Sequence, residues 1–440
     1  MKTKKILSHR YYVGFLLGLF MILVPNTVFG QQNRSINDLF VALEKSTATK
    51  ADDIKTQQAE AYKSFVNSQF YPTLEGFGRY DYSSIPAGMY PVPPNELFPM
   101  MQDQTIAQPF SSNIYRLGGT IAMPIFVKSI FTMSEQAKKI VGAAKEQAYI
   151  NKLKNQSVLV SSNANLKYIE NLTSALEKKK ASLLKTQEFI KIKVNNGRAA
   201  GSTSLNINTS INEVNSLINN LEIQKLEIIA SIQSLTGIVL NHSVPMEQIG
   251  VLQAGGIKIT KPLQDKIEAD ALYVRAEKEK LLPSVMAQGN YAYSFSNAYN
   301  NDKAISGDLT VASVVIKIPV FNKSQYAQIH KSKLDLEASQ NEFQKLTDDF
   351  SAQALQLEKT LALLGNSIQL YQNSIKDKEE LNNIAVLSYQ LEQMSMEDYL
   401  KYEDDLVLEK AKLYNTQAQK WQVLMKLAII YGIDSKTLVK

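Results

Sequence analysis

The chain has 440 residues, of which 45% are apolar and 20% are charged, and it contains no cysteine. The absence of cysteine excludes a disulfide scaffold, thiolate zinc sites, thiol catalysis and lipidation on an N-terminal cysteine. The formal charge is +6, but residues 1–30 hold four Lys or Arg and no acidic residue, so the remainder is nearly neutral. No nucleic-acid partner is therefore expected. With only three histidines (His9, His242 and His330) a histidine-rich metal site is excluded, and no cofactor is expected.

Residues 1–30 are predicted to be a secretory signal peptide. A lysine-rich start precedes an apolar run over 13–24, which Pro25 ends. The alternative is a retained membrane anchor. The run has about 12 residues, whereas a helix needs ~20 to span a bilayer. We therefore expect export from the cytoplasm and a mature protein without a transmembrane helix.

An internal repeat organises the rest of the chain. Residues 123–126 (MPIF) recur as 318–321 (IPVF), and 235–238 (LTGI) recur as 430–433 (IYGI), both at an offset of 195. Chance similarity does not readily place separate anchors on one offset, so we interpret the chain as a tandem duplication. The first repeat is predicted at 31–238, the inter-repeat linker at 239–262 and the second repeat at 263–440.

Each repeat is predicted to hold two β-strands. Residues 73–82 and 284–295 alternate between an apolar or aromatic face and a mostly polar face, which is the period-two pattern typical of strands. The segment 85–112 contains six prolines, a density that argues against a paired strand. Strands are predicted at about 71–84, 113–126, 283–296 and 307–320.

Each repeat is also predicted to end in a long helical hairpin. No proline occurs between Pro124 and Pro245 or after Pro319. Apolar residues recur every seven positions in these stretches, a spacing typical of helices packed as a coiled coil. In the first repeat they are Ile169, Leu176, Leu183 and Ile190. The hairpins are predicted at about 129–236 and 323–432, with turns at 195–203 and 391–398.

Four strands of this length cannot close a barrel within one chain. An aromatic outer face suits an outer-membrane barrel, and open sheet edges are not tolerated in lipid. Three chains would supply twelve strands around a water-filled bore. The expected fold is therefore mainly α with a small β part, in which three chains form a twelve-stranded barrel that carries long coiled-coil helices. The alternative is a soluble sheet with helical arms.

With these features the sequence resembles the TolC-type outer-membrane factor family over nearly all of its mature length. The resemblance implies a homotrimer with a barrel in outer-membrane lipid and a long periplasmic α-helical tunnel. It implies the exit duct of a tripartite efflux pump or a type I secretion system. Its partners would be a periplasmic adaptor (membrane fusion protein) and an inner-membrane transporter. The residues that carry the resemblance are the strand starts at 71–72 and 282–284, the strand ends at 123–126 and 318–321, and the turns at 196–199 and 394–400.

Two other protein classes are considered, and an enzyme is not expected. A periplasmic adaptor would carry one hairpin with compact β domains, whereas this chain devotes its length to two hairpins. A trimeric coiled-coil adhesin or structural filament need not be duplicated or carry a second strand pair. Gly76 and Gly78 form a G-x-G within a strand and lack the third glycine and following helix of a phosphate loop. Transport through a duct would be passive, with energy supplied by a partner.

The hairpin turns are predicted to contact the adaptor. Small or basic side chains suit close contact between the tips of two proteins, although Gly197 alone is equally explained by a turn that needs glycine for its backbone. The docking residues proposed from the sequence are Gly197, Arg198, Ala199 and Ala200 in the first turn and Met394 and Ser395 in the second.

The resemblance also suggests a periplasmic gate. Asp398 matches an acidic residue that lines the constriction of relatives, while Lys401 stands where some relatives have a second acidic residue. Three-fold symmetry would make Asp398 a ring of carboxylates that favours cations. Tyr389 matches a latch tyrosine, but Met394 replaces the latch arginine and Thr203 replaces the aspartate partner. A charged latch is therefore not available at these positions, and a bond from the Tyr389 hydroxyl to Thr203 is the latch contact that remains. The alternative is that Asp398 and Glu397 are first-turn charges that stabilise a helix N-terminus.

Overall fold

The computed structural model describes residues 34–253 and 255–440. The predicted signal peptide lies outside these residues. The elements follow the expected order of helix, strand, strand and helical hairpin in each half. They are α1 (Ile36–Glu44), α2 (Thr47–Ser68), β1 (Thr73–Gly88), α3 (Pro94–Gln102), β2 (Phe110–Phe126), α4 (Lys128–Asn195), α5 (Gly201–Thr236), α6 (Lys261–Glu279), β3 (Ser284–Asn297), β4 (Ala304–Lys317), α7 (Lys323–Gln390) and α8 (Met396–Tyr431).

The four strands form one antiparallel sheet in the order β1-β2-β3-β4. Tyr80, Tyr115 and Phe295 lie opposite one another, and the Tyr115 and Phe295 rings stack with centroids 5.4 Å apart. The neighbouring register positions put Arg79 and Arg116 on the other face. The sheet therefore has one aromatic face and one polar face across its first three strands, as the alternation predicts.

Helices α2, α4, α6 and α7 all adjoin the sheet at one end. Thr73, which follows α2, pairs with Ala122 near the start of α4, and Ser284, which follows α6, pairs with Lys317 just before α7. The β1–β2 loop and the β3–β4 turn meet at the opposite end, where the Asn300 amide donates to the carbonyl of Ile106 at 2.8 Å. The sheet thus adjoins long helices at one end and hydrogen-bonded loops at the other.

The proline-rich segment departs from its predicted form. β1 continues through Pro86, and Ala87 pairs with Ser111, so pairing extends into the segment expected to be unpaired. Pro86 lies within a register shift between Tyr82 and Ala87, where the ladder does not require its missing N–H. The segment also contains α3, which begins at Pro94, a first-turn position at which proline loses no helical hydrogen bond.

The two long hairpins have equal element lengths. Helices α4 and α7 each have 68 residues, and α5 and α8 each have 36. Helices α4 and α7 each span about 100 Å at ~1.5 Å of rise per residue. The first and last residues of α7 and α8 lie 195 positions after those of α4 and α5. Both return helices end at a glycine with positive φ, Gly237 and Gly432, which satisfies the last turn's carbonyls.

The core lies along the seams between these helices. The predicted heptad of α4 is buried throughout and packs against Ile207 and Val214 of α5. In contrast, α7 leaves an apolar stripe uncovered, since Leu363, Leu370, Ile384 and the C-cap residue Leu391 are each more than half exposed. One face of the second hairpin is therefore apolar but unpartnered within the chain.

The linker is tied to the middle of α4. The buried Asn163 side chain donates to the carbonyl of Val244 and accepts from its N–H, both at 2.9 Å. Gln248 forms an isolated bridge with Val439 near the C-terminus. In the part of the chain that the structure describes, no helix combines the length and apolar character needed to cross a membrane.

Candidate functional site

The first hairpin turn is built around Gly197. Its φ of +70° is in the left-handed region, which glycine adopts without steric cost. The N–H of Arg198 donates to the carbonyl of Lys193 at 2.8 Å, and that of Gly197 donates to Val194 at 3.0 Å. These two bonds close the end of α4 as a Schellman motif.

The second turn repeats this backbone with a different residue at the critical position. Glu392, 195 residues after Gly197, has a φ of +63°, which a side-chain-bearing residue rarely adopts. The N–H of Gln393 donates to Ser388 at 2.8 Å, so the same capping bonds form. Because this backbone conformation is unfavourable for glutamate, a functional role for the Glu392 side chain is worth testing against its contacts.

The Glu392 side chain joins the two turns. Its carboxylate lies 2.9 Å from the ammonium of Lys193 at the end of α4. The hydrogen bond from Lys193, its charge and the charge of Arg198 lower the pKa of Glu392. The Lys193 ammonium also lies 4.6 Å from the ring centroid of Phe189 and 5.8 Å from that of Tyr389. One cation thus holds both hairpins together at their tips.

An aromatic cluster lies directly behind this ion pair. Tyr389 of α7 stacks on Tyr399 of α8 with ring centroids 5.2 Å apart, and Phe189 of α4 meets Tyr389 edge-on at 6.3 Å. Tyr399 is almost completely buried, and its hydroxyl shares a 2.9 Å hydrogen bond with Ser182 of α4. Burial raises the pKa of both tyrosines, so both are neutral hydrogen-bonding groups at physiological pH. The cluster therefore connects three helices.

The structure does not contain the predicted bond between Tyr389 and Thr203. Tyr389 faces Phe189 on α4, whereas Thr203 lies in the first turn of α5, where its N–H donates to Ala200 at 3.0 Å. Among the described residues no hydrogen bond joins these two side chains. Within one chain the ring of Tyr389 packs against Phe189 of α4 and Tyr399 of α8, and a latch bond to Thr203 stays a prediction.

Asp398 is part of the cap of α8. Ser395 is the N-cap residue, and its hydroxyl accepts from the Asp398 N–H at 3.1 Å and donates to the Asp398 carboxylate at 2.6 Å. Glu397 and Lys401 are both exposed on the same helix. This geometry accounts for Asp398 as a first-turn charge at a helix N-terminus, and a role in lining a constriction stays a prediction.

The predicted docking residues divide by exposure. Most of them face solvent, while Ala199 is half-buried and Met394 packs against the aromatic cluster. The exposed ones are Gly197, Arg198, Ala200 and Ser395. Because Lys193 links the two turns, these residues belong to one surface rather than two.

Sequence reasoning missed the residues that connect the hairpins. Lys193, Glu392 and Tyr399 were not proposed from the sequence. The 195-residue offset of the repeat aligns Glu392 with Gly197, and both residues have positive φ. The alignment of the two repeats could therefore have identified Glu392.

Comparisons with known proteins place this arrangement in a known fold. No protein-family model and no curated protein matches the sequence. The structure is similar to the outer membrane channel CmeC of Campylobacter jejuni, with a TM-score of 0.73, 15% identity and coverage of 98% of this chain and 94% of that one. It is similar to the outer membrane protein VceC of Vibrio cholerae, with a TM-score of 0.74, 13% identity and coverage of 90% and 96%.

A third similar structure is the open state of the MtrE outer membrane channel of Neisseria gonorrhoeae. Its TM-score is 0.72 at 12% identity, with coverage of 91% of this chain and 89% of that one. The CmeC and MtrE structures are those of outer membrane channels. The chain has their fold, mainly helical with a four-stranded antiparallel sheet, which confirms the resemblance predicted from the sequence at the level of the fold.

Proposed function

We propose that this chain is an outer-membrane channel that acts as the exit duct of a tripartite efflux pump or a type I secretion system. The observation that carries this proposal is a sheet with one aromatic face, two open edges and the helices α2, α4, α6 and α7 all at one end. Such a sheet suits a barrel in lipid, and the hairpins would extend it about 100 Å into the periplasm. The likeness to solved outer-membrane channels supports the same conclusion.

The chain would act as a homotrimer. Strands β1 and β4 are the edges of the described sheet, and each pairs on one side only. In lipid these edges must pair with other copies, because unpaired backbone groups are too costly there. The uncovered stripe of α7, which includes Leu363 and Leu370, supports the same assembly, since coiled-coil seams need a partner.

The hairpin tips would be the regulated entrance of the duct. The adaptor would contact the exposed surface formed by Gly197, Arg198, Ala200 and Ser395, and the transporter would supply energy and select the cargo. The Lys193–Glu392 ion pair would hold the tips closed in the resting trimer, in place of the Tyr389–Thr203 bond predicted from the sequence. Asp398 would supply a ring of three carboxylates near this entrance.

Fractionation and cross-linking test the proposal. The protein is expected in the outer-membrane fraction, to resist extraction with high salt, and to give trimers on cross-linking in intact membranes. Release by salt alone would instead favour a periplasmic adaptor or a coiled-coil filament. Cross-linking that stops at dimers would exclude the twelve-stranded barrel.

A further inference from the structure

A buried carboxyl group lies about 10 Å along α8 from the second hairpin turn, at ~1.5 Å per residue. Glu403 is 5% exposed, and its Oε2 atom is buried without a hydrogen-bond partner among the described residues. It lines a cavity of about 370 Å³ between α4, α7 and α8. A buried carboxyl oxygen without a partner is costly, so its presence requires an explanation.

The same cavity holds a second unpartnered acceptor. The side-chain oxygen of Asn382 on α7 is also buried and has no partner in the described part of the chain. Both atoms accept hydrogen bonds, and neither can donate while Glu403 is ionised. A proton on Glu403 converts one of these two acceptors into a donor within the same cavity.

The charged groups around the cavity do not satisfy Glu403. Lys179 of α4 pairs with Asp404 of α8, and Lys410 of α8 lies 2.6 Å from Glu379 of α7. Each of these lysines is therefore already paired with another carboxylate. The other charged groups that line the cavity are Lys178, Lys179, Glu379 and Lys410. Tyr399 and Asp404 also lie near the Glu403 carboxyl group.

We propose that this cavity is a proton-binding site, in which neutral Glu403 supplies the missing donor and holds α8 against α4 and α7 behind the tip. The proton comes from solvent, and its release leaves a buried carboxylate that weakens this packing. The inference rests on the proposed function only in giving the site a role, namely that a rise in pH loosens the entrance of the duct.

The direction of titration agrees with this geometry. Burial raises the pKa of Glu403, and the hydroxyls of Ser182 and Tyr399 and the charge of Lys179 offset that effect only in part. The native state therefore holds its proton to a higher pH than an unfolded chain does. The stability of this packing is accordingly greatest at acidic pH and falls as pH rises from the ordinary carboxyl pKa toward the raised pKa of Glu403.

Hydrogen exchange of the full-length protein in detergent tests the site. The measurement follows the amides of residues 396–410 between pH 5 and pH 8, corrected for the intrinsic pH dependence of exchange. In the parent, the opening equilibrium is expected to rise by up to about tenfold per pH unit between the two pKa values. In Glu403→Gln, whose amide donates at every pH, protection is expected to remain at the level the parent shows at pH 5.

Glu409→Gln is the matched control. Glu409 lies on the same helix and is similarly buried, but its carboxylate has Lys378 and Lys412 at 3.4 Å each. This variant is expected to keep the parent's loss of protection with rising pH. If Glu403→Gln keeps that loss too, or loses protection at every pH, the site does not hold a proton as proposed. Hydrogen exchange tests the packing at Glu403, whereas conductance in planar bilayers tests the proposed channel. A failure of either proposal can therefore be distinguished from a failure of the other.

Discussion

Removing the hydroxyl of Tyr399 is the sharpest test of how the hairpins are held together. Tyr399→Phe keeps the ring and its stacking on Tyr389 at 5.2 Å but deletes the hydrogen bond to Ser182. Thr186 also donates to this hydroxyl at 3.4 Å. A hydrogen bond of this kind contributes about 0.5–1.5 kcal/mol net, with the upper end applying if Ser182 is left without a partner.

That free energy sets the expected size of the effect. It corresponds to a shift of roughly 2- to 13-fold in the equilibrium for separating the start of α8 from α4. Hydrogen exchange of residues 396–402 at neutral pH measures this shift directly. Resting conductance in planar bilayers should rise in the same variant, because the residues at the tip depend on this contact.

The matched control is Tyr402→Phe. Tyr402 lies one turn further along α8 and has 36% of its surface exposed, against 1% for Tyr399. Its loss of a hydroxyl should leave exchange and conductance at parental values. Equal effects from the two variants, or no effect from Tyr399→Phe, would refute the view that the buried hydroxyl secures α8 to α4.

Further outcomes are expected for changes at four residues of the tip. Tyr389→Phe should conduct like the parent, because among the described residues the Tyr389 hydroxyl makes no hydrogen bond. Tyr389→Ala should raise resting conductance, because it removes the ring that packs on Phe189 and Tyr399. Glu392→Gln should raise resting conductance at neutral pH by removing the pair with Lys193. Because that pairing lowers the pKa of Glu392, the contribution of this ion pair to closure should be complete above the ordinary carboxyl pKa and be lost as pH falls through the lowered value. Asp398→Asn should lower cation selectivity, measured as a reversal potential in a salt gradient. Ala200→Trp should reduce cross-linking to the adaptor while leaving the trimer intact.

Contrary results would separate these ideas from one another. If Tyr389→Phe raises conductance, the Tyr389 hydroxyl makes a contact between protomers. Unchanged conductance in Glu392→Gln would remove the ion pair from the gate, and an unchanged reversal potential in Asp398→Asn would leave that residue as a helix cap alone. Normal adaptor cross-linking with tryptophan at position 200 would place docking on another surface.

Element order and turn positions could be predicted from the sequence because their signals are local. The heptad of α4, the period-two alternation of β1 and β3 and the glycine at 197 act on nearby backbone, and the helix bounds at 129 and 323 fall within one residue of those observed. The proline-rich segment was misread because proline can also begin a helix or lie in a bulge. A count of prolines does not distinguish these cases.

The contacts that make the candidate site were decided only by the tertiary structure. Lys193 and Glu392 lie 199 positions apart in sequence, and their 2.9 Å approach depends on how two hairpins pack along their whole length. The same packing turns Tyr389 toward α4 and, among the described residues, leaves the Oε2 atom of Glu403 without a hydrogen-bond partner. Periodicity determines which face of a helix is buried, but a helix can bury that face against several partners. The register between the helices selects the atoms that meet, and it is set by the sum of many weak contacts.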